Sequence, residues 1–258
     1  LRKACDRFGF PIHAFATEFE AFGHLQGKRG VMIAAAESSV SGHVVIHNLY
    51  LAAPPGFIRA TIQHGFECVG FLHNGAHDRA HGRDVTFNAD VICGWFGEDI
   101  LYSVSAQEKS KLLVTGPPLL LPRWDAPSGA VAPDERRPSC LVCENLHSVR
   151  LRGDVLKSDF VAQFAEFAGE AEAKGLDVWL RPHPAGRFTD MKGSALSVAV
   201  QKSVAPIYKE DLGRFAFAVS APSSILFDLI AAGVPVAVWQ DSAGEIDCRN
   251  YAGLPIIS

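Results

Sequence analysis

The sequence predicts an α/β protein made of two lobes, each built on a parallel β-sheet. Short apolar runs that fit strands alternate along the 258 residues with stretches that fit helices, a pattern typical of parallel sheets with crossover helices. The run 215–219 is apolar at every position, as in strands that helices cover on both faces. A proline-rich segment separates two such series, so we expect two Rossmann-like lobes with a central cleft.

The first half contains the apolar runs of a small sheet. Predicted strands cover 30–36, 59–63, part of 85–93, and 111–115, and the run 43–51 fits a helix or a strand equally. The segment 121–139 then carries four prolines, which remove backbone donors and interrupt helices. We therefore predict a boundary between an N-terminal lobe, 1–122, and a C-terminal lobe, 123–258.

The second half repeats the alternation of strands and helices. Predicted strands cover 140–143, 177–180, 197–200, 215–219 and 235–239. The segment 158–174 predicts a helix that Ser158 caps and Gly175 ends, and 225–232 predicts a helix that Gly233 ends. Ligands of open parallel sheets bind beyond the carboxyl ends of the strands, so residues that follow each strand are the candidate site residues.

Charge and composition exclude several classes of protein. The net charge is -4 and no Lys/Arg run exceeds two residues, which argues against a nucleic-acid partner. No apolar stretch reaches the roughly 18 residues of a membrane helix, and the first residues lack the apolar core of a signal peptide. The six scattered cysteines fit reduced thiols. We expect a cytoplasmic protein, with peripheral association at the inner membrane left open.

A histidine follows one predicted strand of the first half. His64 stands between Gln63 and Gly65, and the glycine permits a tight turn or the close approach of a ligand. An imidazole in a cleft can take a proton near neutral pH, as transfer of a group to a hydroxyl acceptor requires. A structural histidine in a turn fits the same residues equally well.

Polar residues follow three predicted strands of the second half. His183 is confined between two prolines, and Arg181 would direct positive charge toward a diphosphate; a buried structural histidine is the alternative for His183. Ser223 and Ser224 precede a helix, where unpaired N–H groups and hydroxyls favour a phosphate, although a plain helix cap fits the pair as well. Glu144 follows the strand 140–143, and we expect it to face the cleft.

Two patterns have the spacing of metal ligands, and we expect neither to bind a metal. Cys140 and Cys143 form half a zinc site, but no second pair follows, and in a strand they face opposite sides. His73, His77 and His81 would share one face of a helix, yet the glycines around them favour a loop. The sequence selects no catalytic acid among the candidate glutamates, which are Glu18, Glu20, Glu37, Glu67 and Glu144.

Three motifs together resemble those of bacterial surface-polysaccharide transferases. In chain order they are Gln63-His64-Gly65, His183-Pro184, and Ser223-Ser224 followed by Phe227-Asp228. The CDP-glycerol glycerophosphotransferases carry His-Gly, His-Pro and Ser-Ser motifs in the same order, with tryptophan in place of the glutamine. Bacterial sialyltransferases and Kdo transferases, which use CMP-sugars, carry similar His-Pro and Ser-Ser motifs. The resemblance implies a GT-B-like fold.

The resemblance also implies a function. It is that of a metal-independent glycosyltransferase or glycerophosphotransferase, without a cofactor, in capsule or surface-polysaccharide synthesis. A CMP-sugar or CDP-alditol donor would bind lobe 123–258, and a glycan or lipid-linked acceptor would bind lobe 1–122. The residues implied as catalytic are His64 and His183. Those implied to hold the donor phosphates are His183, Ser223, Ser224 and Arg181, and those lining the cleft are Gln63, Gly65, Glu144 and Asp228.

Two other functions fit the same residues. One is a nucleotide-sugar epimerase of the UDP-GlcNAc 2-epimerase type, which needs no acceptor. The other is a non-catalytic module that binds a nucleotide or a glycan, which predicts binding without turnover. A fold by itself does not decide among these functions.

Overall fold

The chain divides into two compact units in a computed structural model. The model describes residues 6, 8–66, 68, 71, 84–101, 103–117, 138–146, 154–183 and 200–258. Unit 1 contains the described residues up to 63, together with Phe71 and 84–115, and unit 2 contains those within 64–68 and from 116 onward. Residues 64–66 thus belong to unit 2 by their contacts. The predicted lobe boundary at 122 lies outside the described residues and stays a prediction.

Unit 1 is built on a four-stranded parallel sheet with the strand order β1-β2-β3-β4. The strands are β1 (Gly30–Ala34), β2 (Phe57–Ile62), β3 (Val91–Gly94) and β4 (Leu112–Val114). The helices with described bounds are α1 (Glu18–Leu25), α2 (Val44–Leu51) and α3 (Ala106–Lys109). The four predicted strands are confirmed, and the run that fitted a helix or a strand is helix α2.

The core of unit 1 joins α2 to the middle of the sheet. The buried Tyr50 of α2 donates its hydroxyl to the carbonyl oxygen of Ala60 in β2 at 2.8 Å. Asp90, directly before β3, pairs with the guanidinium of Arg59 and accepts a bond from its backbone N–H. In β3 itself, Ile92 is fully buried. These contacts hold α2, β2 and the start of β3 together.

Unit 2 is built on a six-stranded parallel sheet with the order β10-β9-β8-β5-β6-β7. The strands are β5 (Ser139–Cys143), β6 (Asp177–Arg181), β7 (Gln201–Lys202), β8 (Phe217–Ser220), β9 (Val236–Trp239) and β10 (Ile256–Ile257). Helix α4 (Asp154–Ala173) lies between β5 and β6 in the chain, and α5 (Ile225–Ala231) lies between β8 and β9. The α/β class, with a parallel sheet in each unit, is confirmed.

Two predicted bounds in unit 2 need correction. Helix α4 begins at Asp154, so Ser158 lies inside the helix rather than capping it, because nothing in the sequence 154–157 ends a helix. Gly175 ends α4 as predicted: its φ is 74°, and the N–H of Leu176 donates to the carbonyl oxygen of Ala171 at 2.9 Å. Residues 197–199 of the predicted strand 197–200 lie outside the described residues, and β7 follows them.

The core of unit 2 lies between the sheet and α5. A buried cluster joins strand residues to the helix and its flanks, with members Leu141, Cys143, Leu212, Phe215, Ala218, Leu229 and Val234. Burying such side chains removes apolar area from water and is the main stabilising contribution to this unit. The central strands β5 and β8 are therefore anchored in this core, directly before the residues that follow them.

The chain changes once the side of the sheet on which it adds new strands. From β5 the chain adds β6 and β7 on one side, and it then returns to the other side of β5 to add β8, β9 and β10. The loops that follow β5 and β8 therefore diverge at the carboxyl edge of the sheet. Such a switch point is where open parallel sheets bind ligands.

Candidate functional site

Three strand ends lie level at the carboxyl edge of the unit 2 sheet. Cys143 of β5 is in register with Arg181 of β6 on one side and with Ser220 of β8 on the other. The N–H of Glu144 donates to the carbonyl oxygen of Arg181 at 2.9 Å and continues this alignment past the strands. The residues that follow β5, β6 and β8 therefore emerge side by side, with adjacent strands about 4.8 Å apart.

A buried asparagine joins the turns that follow β5 and β8. Asn145 donates its side-chain amide to the carbonyl oxygen of Pro222, across the switch point. Ser220 at the end of β8 donates its hydroxyl to the carbonyl oxygen of Ala221 at 2.7 Å. These bonds fix the backbone that leads into the serine pair. The contact of Asn145 was not predicted, since its partner lies 77 positions away in the chain.

The serine pair holds the segment that contains the first histidine motif. The backbone N–H of Phe66 donates to Ser224 Oγ at 2.9 Å. The Phe66 ring packs against Phe227 with centroids 4.7 Å apart and against Tyr251 at 5.5 Å. A Cβ on Gly65 would lie 3.2 Å from Ser224 Oγ, so glycine allows this close approach. The first and third predicted motifs are thus brought together.

Helix capping does not account for the serine pair. Ser224 is the N-cap residue of α5, yet its side chain makes no capping bond. Ser223 Oγ accepts from the N–H of Ile225 only at 3.4 Å, near the limit for a hydrogen bond. Ser224 Oγ acts as an acceptor for Phe66 from another part of the chain. Its role as a phosphate ligand stays a prediction.

The two predicted catalytic histidines differ in exposure. His64 is exposed, two residues beyond the end of β2. His183 is half-buried, two residues beyond the end of β6. The register of the strands puts His183 at the same sheet edge as the serine turn. Catalytic roles for both histidines stay predictions.

Arg181 has structural partners at this edge. Its Nη1 donates to Ser203 Oγ at 2.9 Å, and Ser203 Oγ donates to Glu210 Oε1 at 2.7 Å. The Arg181 and Glu210 side chains are each 11% exposed, with 3.8 Å between their charged atoms. Glu210 therefore offsets much of the positive charge of Arg181. A contact of Arg181 with a donor phosphate stays a prediction.

The residues predicted to line the cleft are mostly buried. Gln63 is fully buried in unit 1: its Oε1 accepts from the N–H of Trp95 at 2.8 Å, and its carbonyl oxygen accepts from the Trp95 indole at 2.9 Å. Glu144 is buried after β5, and Asp228 is half-buried in α5. The observed role of Gln63 is to join the ends of β2 and β3. Ligand contacts of these three residues stay predictions.

The described residues contain no cluster of three or more histidine, cysteine or acidic side chains that would hold a metal ion. Burial raises the pKa of the Cys140 and Cys143 thiols to about 12, so both are protonated at neutral pH. His73, His77 and His81 lie outside the described residues.

Unit 1 contains a polar cluster beyond β1 that joins Glu37, one of the candidate acids of the sequence, to residues that the sequence did not single out. Glu37 Oε1 lies 2.6 Å from His47 Nδ1 and accepts from the N–H of Asn88 at 2.9 Å. Ser38 Oγ lies 2.7 Å from His43 Nδ1. The signal in the sequence is the four-residue spacing of the two histidines, which puts them on one face only if 43–51 is helical.

None of the helices in the described parts of the chain is both long and apolar enough to span a bilayer. The two predicted lipid-related properties, a lipid-linked acceptor and peripheral association with a membrane, involve no spanning helix. Both stay predictions.

Comparison with known proteins bears on the fold. No protein-family model matches the chain, and no curated protein matches it in sequence. Among solved structures, it is similar to a proposed UDP-N-acetylglucosamine 2-epimerase from Listeria monocytogenes. The TM-score is 0.52 at 11% identity, covering 94% of this chain and 69% of the other. At this identity the likeness supports a shared fold alone.

A second solved structure matches more weakly. The glycosyltransferase SnogD from Streptomyces nogalater matches with a TM-score of 0.32 at 16% identity, covering 83% of this chain and 48% of that protein. A score this low supports no argument about fold or function. The fold is therefore supported by the Listeria protein and by the parallel sheets of the two units.

Proposed function

We propose that the chain is a nucleotide-sugar enzyme, a glycosyltransferase that binds the phosphates of a nucleotide-activated donor at the carboxyl edge of the unit 2 sheet. The observation that carries the proposal is the switch point between β5 and β8, where Ser224 binds the backbone of Phe66. Parallel sheets with this strand order bind nucleotides in the crevice at the switch point. The Ser-Ser and His-Gly motifs of the resembling transferases meet at this place.

The chemistry of the edge fits a phosphate. Ser223 and Ser224 have hydroxyl groups that can donate to phosphate oxygens, and the backbone of their turn is fixed through Asn145. His183 follows the adjacent strand end, and an imidazolium there would offset the charge that develops on the leaving phosphate. In this proposal the protein groups supply the stabilisation, so no metal or cofactor is required.

The identity of donor and acceptor comes from the resemblance. It favours a cytidine nucleotide, as a CMP-sugar or CDP-alditol, and a glycan or lipid-linked acceptor in capsule or surface-polysaccharide synthesis. A lipid-linked acceptor would be reached by peripheral association of a cytoplasmic protein with the inner membrane. Donor and acceptor are tested separately, because nucleotide binding needs no acceptor.

A second candidate function is epimerisation of a UDP-sugar. The observation that favours it is the fold likeness to the Listeria protein, which covers nearly the whole chain. An epimerase would convert UDP-GlcNAc without any acceptor, whereas a transferase releases nucleotide and forms a new bond to an acceptor. Product analysis by mass spectrometry and NMR with UDP-GlcNAc alone separates the two.

Nucleotide binding is tested first, by thermal unfolding of the full chain with CMP, CDP, UDP and GDP. A ligand at about 100 times its Kd stabilises the native state by about 2.7 kcal/mol, which is a measurable rise in Tm. We expect a cytidine nucleotide to raise the Tm, and we expect His183→Ala and Ser224→Ala to abolish the rise. His24→Ala replaces a half-buried histidine of unit 1; it is the matched control and should keep the rise.

The outcomes of this titration decide the proposal. A rise with UDP but not with CMP or CDP would favour the epimerase and refute the cytidine donor. No rise with any of the four nucleotides would refute the proposed function. A rise that survives in both His183→Ala and Ser224→Ala would show that the nucleotide binds elsewhere.

A further inference from the structure

The segment that carries the first histidine motif belongs to unit 2 by its contacts. The division between the units falls between Gln63 and His64, although Gln63 directly follows β2 of unit 1. Gln63 is held in unit 1 by Trp95, whereas Phe66 donates its N–H to Ser224 of unit 2 at 2.9 Å. His64 is therefore part of the same unit as the serine pair.

Aromatic rings of unit 2 anchor this segment two residues beyond the histidine. The ring of Phe66 packs against Phe227, with centroids 4.7 Å apart, and against Tyr251 at 5.5 Å. Both Phe66 and Tyr251 are buried. Phe227 lies in the first turn of α5, which follows Ser224 directly, and Tyr251 lies between β9 and β10 in the chain. The ring of Phe66 thus joins the histidine segment to the serine turn.

We propose that His64 is a ligand of the donor phosphate beside Ser224, and that Phe66 and Tyr251 position it there. This inference rests on the proposed function, in which the serine pair binds that phosphate. It differs from the role that the motifs imply, since it assigns His64 to binding of the donor rather than to deprotonation of the acceptor. Tyr251, which no motif includes, is a positioning residue of the donor site.

The backbone puts His64 within reach of a phosphate at Ser224. A Cβ on Gly65 would lie 3.2 Å from Ser224 Oγ, and adjacent Cα atoms are about 3.8 Å apart, so the His64 Cα lies within about 8.5 Å of that oxygen. A phosphate that accepts from both the imidazole and the hydroxyl, through hydrogen bonds of about 2.8 Å, fits within this span. The side chain of His64 is exposed and thus accessible to a ligand.

The Ser224 hydroxyl is oriented for the same ligand. Its oxygen accepts the N–H of Phe66, and it makes no capping bond to α5. A hydroxyl group has one hydrogen to donate in addition to the lone pairs that accept. Because the N–H of Phe66 occupies a lone pair, the hydroxyl hydrogen points away from it and can be donated to a phosphate oxygen. The bond that anchors the histidine segment therefore also prepares Ser224 to bind a phosphate.

The surroundings of His64 suit phosphate binding better than proton abstraction. A general base is usually held in one tautomer and orientation by a third group. In the parts of the chain that the structure describes, no carboxylate is hydrogen-bonded to His64. A phosphate ligand needs only an N–H donor, which an imidazole supplies in either neutral tautomer and when it is protonated.

The test measures the affinity of the full chain for CMP, CDP, UDP and GDP by isothermal titration calorimetry, without any acceptor. His64→Ala removes the N–H donor, and His64→Gln keeps an amide N–H. Tyr251→Ala removes the ring that supports Phe66, and Tyr251→Phe keeps it. Phe215→Ala is the matched control, because Phe215 is a buried aromatic residue at the amino end of β8, opposite to the serine turn. Each variant is titrated at a temperature at which its circular dichroism spectrum is that of the folded protein.

We expect His64→Ala to weaken nucleotide binding about 10- to 100-fold, as for the loss of one hydrogen bond to a charged group, and His64→Gln to restore most of the affinity. Tyr251→Ala should also weaken binding in the wild type. It should add no further loss in the His64→Ala background, because it acts through His64. Tyr251→Phe and Phe215→Ala should bind nucleotide like the wild type.

The outcomes separate this inference from the proposed function. Wild-type affinity in His64→Ala, for a nucleotide that the wild type binds, would overturn the inference and leave the proposed function standing. An equal loss from Tyr251→Ala with and without His64 would overturn the positioning role of Tyr251. If the wild type binds none of the four nucleotides, both the inference and the proposed function fail.

Discussion

Replacing Ser224 with alanine removes the acceptor of one buried N–H group and should loosen the turn that carries His64. In the wild type, Phe66 donates its N–H to Ser224 Oγ at 2.9 Å, and Phe66 is 8% exposed. Alanine removes this acceptor, and losing the hydrogen-bond partner of a polar group in a buried residue costs about 1–3 kcal/mol. The aromatic contacts of Phe66 with Phe227 and Tyr251 are unchanged, so the ring should keep the segment near its place.

Hydrogen exchange of the Phe66 amide measures this loss directly. Because 1.4 kcal/mol corresponds to a factor of ten, we expect its protection to fall by about 5- to 150-fold. Ser223→Ala is the matched control, since Ser223 Oγ accepts only a long bond from Ile225, and it should leave the Phe66 amide protected. Unchanged protection in Ser224→Ala, or an equal loss in Ser223→Ala, would refute the assigned contact.

Three further predictions concern stability. Leu229→Ala should lower the free energy of unfolding of unit 2 by about 2–5 kcal/mol in urea titrations, because Leu229 is fully buried in the core cluster. Burial raises the pKa of the Cys140 and Cys143 thiols to about 12, so both should resist iodoacetamide in the folded protein, as read by mass spectrometry. The free energy of unfolding should fall as the pH rises from about 9 to about 12, because in this range the thiols ionise only in the unfolded chain. Hydrogen bonding to Arg59 lowers the pKa of Asp90, so the ionised carboxylate stabilises the folded protein. In acid titrations, Asp90→Asn should lower the free energy of unfolding by less than about 1 kcal/mol above about pH 4. Below that pH, the stability of the variant should fall less with added acid than that of the wild type.

The sequence predicts helices and strands well where the hydrophobic pattern and the residues that end an element agree. The apolar run 215–219 becomes β8, shifted by one to two residues, and Gly175 ends α4. The run 43–51 was ambiguous because most of its residues are apolar, so its hydrophobic period does not distinguish helix from strand. Helix α2 makes a tertiary contact that no local pattern contains, from the Tyr50 hydroxyl to Ala60 in β2.

The sequence predicts which residues follow the strands but not what those residues contact. Gln63 follows β2 as expected, yet its amide is buried against Trp95. Arg181 ends β6, yet Ser203 and Glu210 surround its guanidinium. Each partner lies more than 20 positions away in the chain, so only the fold brings it near. Polar residues at strand ends therefore need the structure before a ligand can be assigned to them.

The order of strands explains why the motifs of the proposed donor site are so widely spaced in the chain. A switch point requires that the chain complete β5, β6 and β7 before β8 lies beside β5. The turns after β5 and β8 are therefore neighbours in space, although Asn145 and Pro222 are 77 positions apart. The hydrogen bond between Ser224 and Phe66 likewise joins residues that are 158 positions apart in the chain. A substitution that weakens β5 should thus disturb the serine turn strongly, although β5 is distant in sequence. A substitution close to the serine turn in sequence, but without contacts to β5, Asn145 or Phe66, should disturb it less.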